Sequence, residues 1–215
     1  MDLDQAAAAY YAGEPLLSNS EFDRLAAQVG RRCVGAKAGK IQHSTPMLSL
    51  RCEDNPAEWV AALGCPVITE VKIDGMAAAL RFDRGRLIQA ISRGNGKQGC
   101  DITAAVADSG AVSNGWESFS GEVRGELFCT EADRYASCQA RVAAVIRSGR
   151  VSGAGVQFIA HDQAPRLSSW SVHGWTGFVD GIPSDGVVIK AASLDVRSRL
   201  GDDGYVPLWA VAVKP

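Results

Sequence analysis

The sequence has few of the features that mark membrane-spanning, zinc-binding or disulfide-built proteins. No apolar run approaches the roughly 20 residues of a membrane helix, and the N-terminal MDLDQAAAAYY begins with acidic residues where a signal peptide carries basic ones. The six cysteines form no C-x-x-C pair, and no histidine lies at ligand spacing from them, so no structural zinc site is predicted. We therefore expect a cytoplasmic protein with reduced thiols and no membrane partner.

The chain also lacks a surplus of either charge. It has 22 basic and 24 acidic side chains, a net charge of −2 and an isoelectric point near 5.9. A stand-alone nucleic-acid clamp needs a basic surplus for its phosphate contacts. A nucleic acid would therefore have to be held by a local basic patch or by another chain.

Two patterns divide the 215 residues into a helical start and a strand-rich remainder. An alanine-rich stretch and a capping-box signature after it predict a helical hairpin over residues 1–34. Residues 35–46 carry glycine and lysine without periodicity, which predicts a mobile connection. Residues 47–215 are the predicted main domain.

The main domain is predicted to be α+β, with mainly antiparallel strands. Short apolar segments bounded by turn residues predict strands at 67–73, 76–82, 87–93, 120–128, 156–160, 184–190 and 209–214. Residues 131–148 have the apolar spacing of a helix. Many short strands joined by tight turns, with few helices, indicate this class.

Charged side chains occur inside these strand-like segments. In EVKIDG, the residues Glu70, Lys72 and Asp74 alternate with aliphatic ones and would share one face of an extended strand. Lys190 and Lys214 stand at the ends of two further segments. A solvated strand face, or a lysine that protects a sheet edge, is the alternative explanation for each of them.

The segment SGEVRGELF repeats this alternation with Glu122, Arg124 and Glu126. If the strands share a sheet, the charged faces could converge on a pocket, because charges buried without partners are costly. Lysines together with Arg93 and carboxylates suit a phosphate-bearing substrate and a divalent metal. The chemistry indicated is phosphoryl or nucleotidyl transfer.

Six motifs follow one another along the chain. They are HSTPMLSL (43–50), EVKIDG (70–75), SRGNG (92–96), EVRGE (122–126), DGVVIK (185–190) and PLWAVAVKP (207–215). This order resembles that of NAD-dependent DNA ligases, and it implies a nucleotidyltransferase (adenylation) domain built on antiparallel sheets. K-x-D-G alone is shared with ATP-dependent ligases, RNA ligases and capping enzymes. Ala77, where ATP-dependent ligases usually carry arginine, and the predicted hairpin favour the NAD branch.

The resemblance implies covalent catalysis through Lys72. This lysine would attack the α-phosphorus of NAD, release nicotinamide mononucleotide and hold AMP as a lysyl phosphoramidate, before AMP passes to the 5′-phosphate of nicked DNA. Lysine is normally protonated at neutral pH. Lys190, Lys214 and a bound Mg²⁺ would therefore have to favour the neutral amine.

The same resemblance implies a set of ligand contacts. On the nucleotide side they are Glu70 and the backbone of Ser49 and Leu50 for adenine, Arg93 and Glu126 for ribose, and Lys190 and Lys214 for the α-phosphate. His161 would stack on adenine, with a surface histidine at a strand end as the alternative. Asp74 and Glu126 would hold Mg²⁺ through water.

The predicted hairpin would bind the nicotinamide mononucleotide half of NAD. The residues implied are Tyr10, Tyr11, Asn19, Phe22 and Asp23. Tyr11, Asn19 and Phe22 stand where the family usually has histidine, aspartate and tyrosine. Hydrogen bonds to this half of NAD can be lost through these changes.

The sequence stops before any oligonucleotide-binding barrel, zinc module or BRCT domain of the family. The chain alone would therefore bind nicked duplex DNA weakly. It would need a second subunit that carries the oligonucleotide-binding domain, in a bacterial or virus-infected bacterial cell, or it is the adenylation part of a longer protein. Two alternatives stay open: a non-catalytic NAD- or AMP-binding assembly module of the same fold, and a nucleotidyltransferase that uses ATP.

Overall fold

The computed structural model describes residues 39–112, 116–133, 135–170 and 176–215, together with isolated positions before residue 39 (3, 5, 6, 9, 16, 17, 21 and 25). The hairpin predicted over residues 1–34 falls largely outside the described residues. So do its five candidate nicotinamide contacts: Tyr10, Tyr11, Asn19, Phe22 and Asp23. Both the hairpin and these contacts stay predictions.

The described residues form short strands and a few helices. The strands are β1 (Ile41–Gln42), β2 (Arg51–Cys52), β3 (Val67–Ile73), β4 (Met76–Asp83), β5 (Arg86–Ser92), β6 (Gln98–Gly99), β7 (Gly121–Cys129), β8 (Val156–Ala160), β9 (Arg166–Leu167), β10 (Thr176–Val179), β11 (Ile182–Ala191) and β12 (Ala210–Val213). The α-helices are α1 (Pro56–Leu63), α2 (Thr103–Ser109), α3 (Cys138–Ser148) and α4 (Leu194–Leu200), and a 3₁₀ helix covers His161–Gln163. The predicted α+β class with mainly antiparallel strands is confirmed.

The predicted strands agree with the structure to within two residues, and the helices agree less well. Helix α3 begins at Cys138 rather than at residue 131, because Ser137 caps it by accepting a hydrogen bond from the amide of Ala140. Helices α1 and α4, which the sequence patterns did not predict, contain no fully buried residue. No helix in the described part of the chain has the length and apolarity needed to cross a membrane.

Backbone contacts divide the chain into two compact units. The first unit consists of Met1–Met47 and Gly75–His161, and the second of Leu48–Asp74 and Asp162–Pro215. The chain therefore passes from one unit to the other inside the K-x-D-G motif, between Asp74 and Gly75. The predicted domain boundaries after residues 34 and 46 stay predictions.

The first unit is built on an antiparallel sheet with the strand order β5-β4-β7-β8. Helices α2 and α3 contribute to its core. The buried side chains of this core include Leu80, Phe82, Val106, Leu127, Val142 and Ile146. Their burial holds the central strands β4 and β7 side by side.

The second unit is built on a sheet with the strand order β2-β12-β11-β3-β9, and β10 pairs with β11 as well. All of these pairs are antiparallel except β2 with β12. Its core cluster consists of Val187, Ile189, Val211 and Val213, against which Trp59 and Val60 of α1 pack. One face of this sheet is therefore apolar.

Residues 39–47, which we call the strap, are held in place within the first unit. Strand β1 pairs with β6. The amide of His43 donates to the carbonyl of Lys97 at 3.0 Å, and the amide of Met47 donates to the carbonyl of Gly96 at 2.8 Å. His43 and Met47 are each 5% exposed. The described part of 35–46 therefore has backbone hydrogen-bond partners that no local pattern reveals, and the assignment of 35–46 as a connection stays a prediction.

A carboxylate of the sheet secures the strap. Glu122 on β7 accepts hydrogen bonds from the hydroxyl of Ser44 at 3.0 Å, from Nε of Arg81 at 2.9 Å and from the guanidinium of Arg124 at 3.0 Å. These three donors surround a side chain that is only 17% exposed. The desolvation of the carboxylate is thus compensated by charge-assisted hydrogen bonds.

Arg124 completes this attachment by donating to the backbone carbonyls of Thr45 and Pro46. Glu122 and Arg124 were expected to form a charged face with Glu126 that converges on a pocket. In the structure their side chains bind the strap, and β7 and β3 belong to different sheets. The alternation of charges along β7 does not distinguish a ligand contact from a contact with another part of the chain.

We expect the stabilisation provided by Glu122 to depend on pH. Burial raises the pKa of Glu122, but the hydrogen bonds from Arg81, Arg124 and Ser44 outweigh burial and hold its pKa below the ordinary value of 4.5. Because the unfolded chain binds this proton more tightly, the stabilisation is complete above pH 4.5 and is lost as the pH falls through the lowered pKa of the folded state. Glu122→Gln should therefore reduce the free energy of unfolding most at neutral pH.

Urea denaturation of wild type and Glu122→Gln, at neutral pH and in steps through and below pH 4.5, measures this difference. The control is Asp108→Asn, an exposed carboxylate on α2 of the same unit. A difference between wild type and Glu122→Gln that stays constant over the whole pH range would contradict the assignment.

Candidate functional site

Strand β3 of the second unit has an apolar face and a charged face. Val71 and Ile73 are 2% and 8% exposed and belong to the buried hydrophobic residues. Glu70 and Lys72 occupy the alternate positions, whose side chains project from the opposite face. The predicted alternation of EVKIDG therefore holds for these two residues.

The pairing register brings three lysines to this charged face. Lys72 lies opposite Gly186 on β11, and Lys190 lies an even number of residues along β11 from Gly186. Lys214 continues the register of β12 and also comes opposite Gly186. Opposed residues of neighbouring strands share a face, so the three lysines project from the same side of the sheet. They are only 22%, 12% and 19% exposed, which does not fit the alternative of a solvated strand face.

A bulge in β11 turns Asp185 toward two of these lysines. The register of β11 against β3 shifts between Ser184 and Gly186, which leaves Asp185 as an extra residue. Nζ of Lys72 donates to Oδ1 of Asp185 at 2.7 Å, and Nζ of Lys214 lies 3.2 Å from Oδ2. One carboxylate therefore bridges Lys72 and Lys214.

The residues on either side of Asp185 maintain the bulge. The hydroxyl of Ser184 donates to the carbonyl of Gly186 at 2.9 Å. Gly186 has a φ of 150°, and a Cβ at this position would lie 2.2 Å from the carbonyl oxygen of Val213. Only glycine fits here, so the glycine of the D-G pair in DGVVIK is a requirement of the backbone.

The third lysine has its own carboxylate. Nζ of Lys190 lies 2.5 Å from Oε2 of Glu70, and the two side chains are 12% and 6% exposed. Glu70, which the resemblance assigns to adenine, is therefore the ion-pair partner of Lys190 in this structure. Because removal of one member would leave a buried charge unpaired, the pair constrains both side chains.

Asp185 was not among the predicted site residues. It opens the motif DGVVIK, but it stands five positions before Lys190, and side chains an odd number apart in a regular strand face opposite ways. Only the bulge brings Asp185 to the lysine face. A glycine inside a strand-like run is the one local signal that could have indicated it.

In the first unit, Arg93 begins the RGNG loop and its backbone is fixed from three sides. Its amide donates to the carbonyl of Ala77 at 3.0 Å, and its carbonyl accepts from the amide of Gly96 at 3.0 Å and from Nε2 of His43 at 3.1 Å. His43, in which the sequence indicates no function, therefore orients Arg93. The role of the Arg93 side chain at ribose stays a prediction.

Glu126 and His161 lie next to each other in the same unit. Nε2 of His161 is 3.4 Å from Oε2 of Glu126, and the two side chains are 51% and 16% exposed. Glu126 lies opposite Ile159 on β8. Strand β8 is followed directly by the 3₁₀ helix, whose first residue is His161. The structure thus brings together two predicted nucleoside contacts, whose roles stay predictions.

The carboxylates fit Mg²⁺ only in a water-mediated form. No group of three or more His, Cys, Asp or Glu side chains among the described residues could hold a metal ion directly. Asp74 belongs to the second unit and Glu126 to the first. A magnesium ion that keeps most of its waters and contacts substrate phosphate needs only one such carboxylate.

A family model of the NAD-dependent DNA ligase adenylation domain matches residues 36–144, just over half of the chain. The chain belongs to this family. The resemblance drawn from the order of the motifs is thereby confirmed.

DNA ligases of several bacteria are similar to this chain. DNA ligase 2 of Streptomyces coelicolor is 35% identical over 61% of this chain and 23% of its own length. The DNA ligase of Novosphingobium aromaticivorans is 29% identical over 90% of this chain and 28% of its own length. The DNA ligase of Rhodopseudomonas palustris is 27% identical over the whole chain and 38% of its own length. The chain therefore spans less than two fifths of each of these relatives.

The glycine of the family's K-x-D-G motif is needed for close packing. A Cβ on Gly75 would lie 2.6 Å from both Cγ of Glu126 and the carbonyl oxygen of Leu127. The carbonyl belongs to β7 and cannot move away without disturbing the pairing of β4 with β7. We expect Gly75→Ala to lower the free energy of unfolding by about 3 kcal/mol.

Chemical denaturation measures this loss, with Gly110→Ala as the control. Gly110 ends α2 with a φ of 71°, and nothing lies within 4 Å of a Cβ built there, so it should lose only about 1 kcal/mol from backbone strain. Equal losses in the two variants would rule out the close approach at Gly75.

Proposed function

We propose that this chain is the adenylation part of an NAD-dependent DNA ligase and that Lys72 is its nucleophile. The observation that carries the proposal is the position of Lys72. It lies in the K-x-D-G motif of a chain that belongs to the adenylation-domain family. It shares a sheet face with two further lysines, and its Nζ donates a hydrogen bond to a carboxylate.

In the proposed reaction, Nζ of Lys72 attacks the α-phosphorus of NAD. A phosphorus–nitrogen bond forms, the bond from this phosphorus to the bridging oxygen breaks, and nicotinamide mononucleotide leaves with the electron pair. A lysine ammonium has no lone pair, so Lys72 must first lose a proton. The carboxylate of Asp185, 2.7 Å from Nζ, is positioned to accept it.

The remaining charges of this face suit a phosphate. Lys72, Lys190 and Lys214 stand against the carboxylates Glu70 and Asp185, which leaves one positive charge in this set. We assign Lys190 and Lys214 to the α-phosphate, where their fixed ammonium groups would stabilise the charge that develops as the bridging oxygen leaves. Their ion pairs hold them in position before the ligand arrives.

The other contacts follow from the family motifs. We assign the nucleoside to Glu70, the backbone of Ser49 and Leu50, Arg93, Glu126 and His161. The nicotinamide mononucleotide half is assigned to residues 1–34, the predicted helical hairpin, through Tyr10, Tyr11, Asn19, Phe22 and Asp23. Asp74, with Glu126 as the second candidate, would hold Mg²⁺ through water, and the ion would neutralise phosphate charge.

The final acceptor of AMP would be the 5′-phosphate of nicked duplex DNA. The chain covers at most 38% of the relatives described above, and its net charge is −2. Tight DNA binding needs a basic surface. We therefore propose that a second subunit, or a further part of a longer protein, supplies the oligonucleotide-binding domain.

Self-adenylation is the first expected result. Incubation of the purified chain with NAD and Mg²⁺ should add the mass of one AMP, and Lys72→Ala should abolish the gain, because no other amine replaces this nucleophile. Lys40→Ala, which removes an exposed lysine of the strap, is the control and should be adenylated like wild type. Intact-protein mass spectrometry, with NAD and ATP in parallel, makes the measurement.

Each alternative outcome has a definite meaning. A gain with ATP and none with NAD would favour the ATP-using class. NAD binding by calorimetry without any mass gain would favour a non-catalytic binding module. A gain that survives Lys72→Ala would remove Lys72 from the mechanism.

Asp185→Asn should slow self-adenylation. The amide keeps the shape of the side chain but neither accepts the proton of Lys72 nor neutralises the two lysines, and we expect the rate constant to fall roughly tenfold to a hundredfold. The rate of this variant should rise more steeply with pH than that of wild type, since solvent base must then take the proton. Asp180→Asn, an exposed carboxylate in the turn between β10 and β11, is the matched control. Unchanged kinetics in Asp185→Asn would exclude Asp185 from the reaction.

A further inference from the structure

The arginine Arg197 on helix α4 joins the two strands that carry the phosphate lysines of the second unit. Its Nε donates to the carbonyl of Ala191, the last residue of β11, at 2.6 Å. The Cζ atom of the same guanidinium lies 5.2 Å from the ring centroid of Trp209, directly before β12. One side chain therefore contacts both strands where their pairing ends.

These contacts close the end of the β11–β12 ladder. The amide of Ala191 donates to the carbonyl of Trp209 at 2.9 Å, and the next pair inward is Lys190 with Ala210. Terminal hydrogen bonds of a sheet open most readily, and Lys190 is one residue away from this terminal bond. Lys190 also pairs with Ile68 of β3, so the terminal bond between Ala191 and Trp209 helps to fix its backbone from the side of β12.

The geometry requires an arginine rather than any cation. The guanidinium is planar and carries donors at its edge, so it can lie over an aromatic ring and donate to a carbonyl at the same time. A lysine ammonium is a point charge and cannot do both from one position. Leu208, the residue before Trp209, is 45% exposed and carries no charge. The cation over the Trp209 ring is Arg197 of α4.

Helix α4 itself does not depend on this side chain. The hydroxyl of Ser193 caps its first turn by accepting from the amide of Val196, and the amide of Gly201 closes its last turn on the carbonyl of Arg197. The amide of Leu208 then ties the following loop to Gly201 at 3.0 Å. The Arg197 side chain is thus available for the contact between the strands.

We propose that Arg197 is a positioning residue for adenylation, which acts through Lys190. It holds the last β11–β12 pair closed, so that the ammonium group of Lys190, already fixed on one side by Glu70, meets the α-phosphate in a constant position. This inference rests on the proposed function, since it explains how Lys190, one of the proposed phosphate contacts, is held in position. Small displacements of such a group have large effects on rate.

Single-turnover self-adenylation separates this role from a general loss of folding. In Arg197→Ala we expect the rate constant at saturating NAD to fall roughly tenfold or more, with the final fraction of adenylated protein unchanged. A variant that merely folds less well would show the opposite, a smaller final fraction with an unchanged rate constant. Arg197→Lys should recover only part of the rate, because it cannot maintain both contacts.

Arg199→Ala is the matched control. Arg199 is an exposed arginine in the last turn of the same helix, and its removal should leave the rate constant within about twofold of wild type. Lys190→Ala and the double variant Arg197→Ala with Lys190→Ala complete a cycle. If Arg197 acts through Lys190, the double variant should be no slower than Lys190→Ala alone.

An independent readout keeps the inference separate from the proposed function. Amide hydrogen exchange at Ala191 reports directly on the last β11–β12 bond, and it should be faster in Arg197→Ala and unchanged in Arg199→Ala. Equal exchange in wild type and Arg197→Ala would overturn the contact between the strands. Faster exchange with an unchanged adenylation rate would overturn its role in the reaction, as would additive losses in the cycle. A wild type that is never adenylated would overturn the proposed function, while hydrogen exchange still decides whether Arg197 holds the strands together.

Discussion

The bridge from Asp185 to Lys72 and Lys214 is the interaction on which the site of the second unit depends. Its sheet has one apolar face, packed under α1, and one face that carries three lysines. Lysines this close would repel one another in a partly buried setting unless carboxylates separated them. Asp185 and Glu70 provide this separation and leave a single positive charge in the set, which is the balance that favours an anionic ligand.

Two glycines permit close backbone approaches, one in each unit. Gly186 lets β12 approach the bulge that carries Asp185, and Gly75 lets the chain pass against Glu126 on β7. A side chain at either position would meet a backbone carbonyl. In K-x-D-G and in the D-G of DGVVIK, the absence of a side chain on the glycine is therefore needed as well as the neighbouring charge, because the backbone approaches closely there.

The network around Glu122 shows that the same sequence pattern serves two purposes. Glu122 and Arg124 alternate along β7 just as Glu70 and Lys72 alternate along β3, yet the first pair fastens the strap and the second belongs to the lysine face. Both are partly buried, charged and hydrogen-bonded. What separates them is the neighbouring element, since the strap covers Glu122 and provides protein partners for its charges.

The sequence by itself determined seven of the twelve described strands, the α+β class, the family and the charge-bearing positions Lys72, Lys190 and Lys214, because strand alternation and short ordered motifs are local properties. Only the tertiary structure decided that Asp185 joins two of these lysines, that Glu70 pairs with Lys190 and that Arg197 closes the strands beside it. A bulge reverses the face of one residue, and ion pairs form between strands far apart in the chain. Neither the pairing register nor the position of a bulge can be read from a segment alone, since both depend on which strands become neighbours.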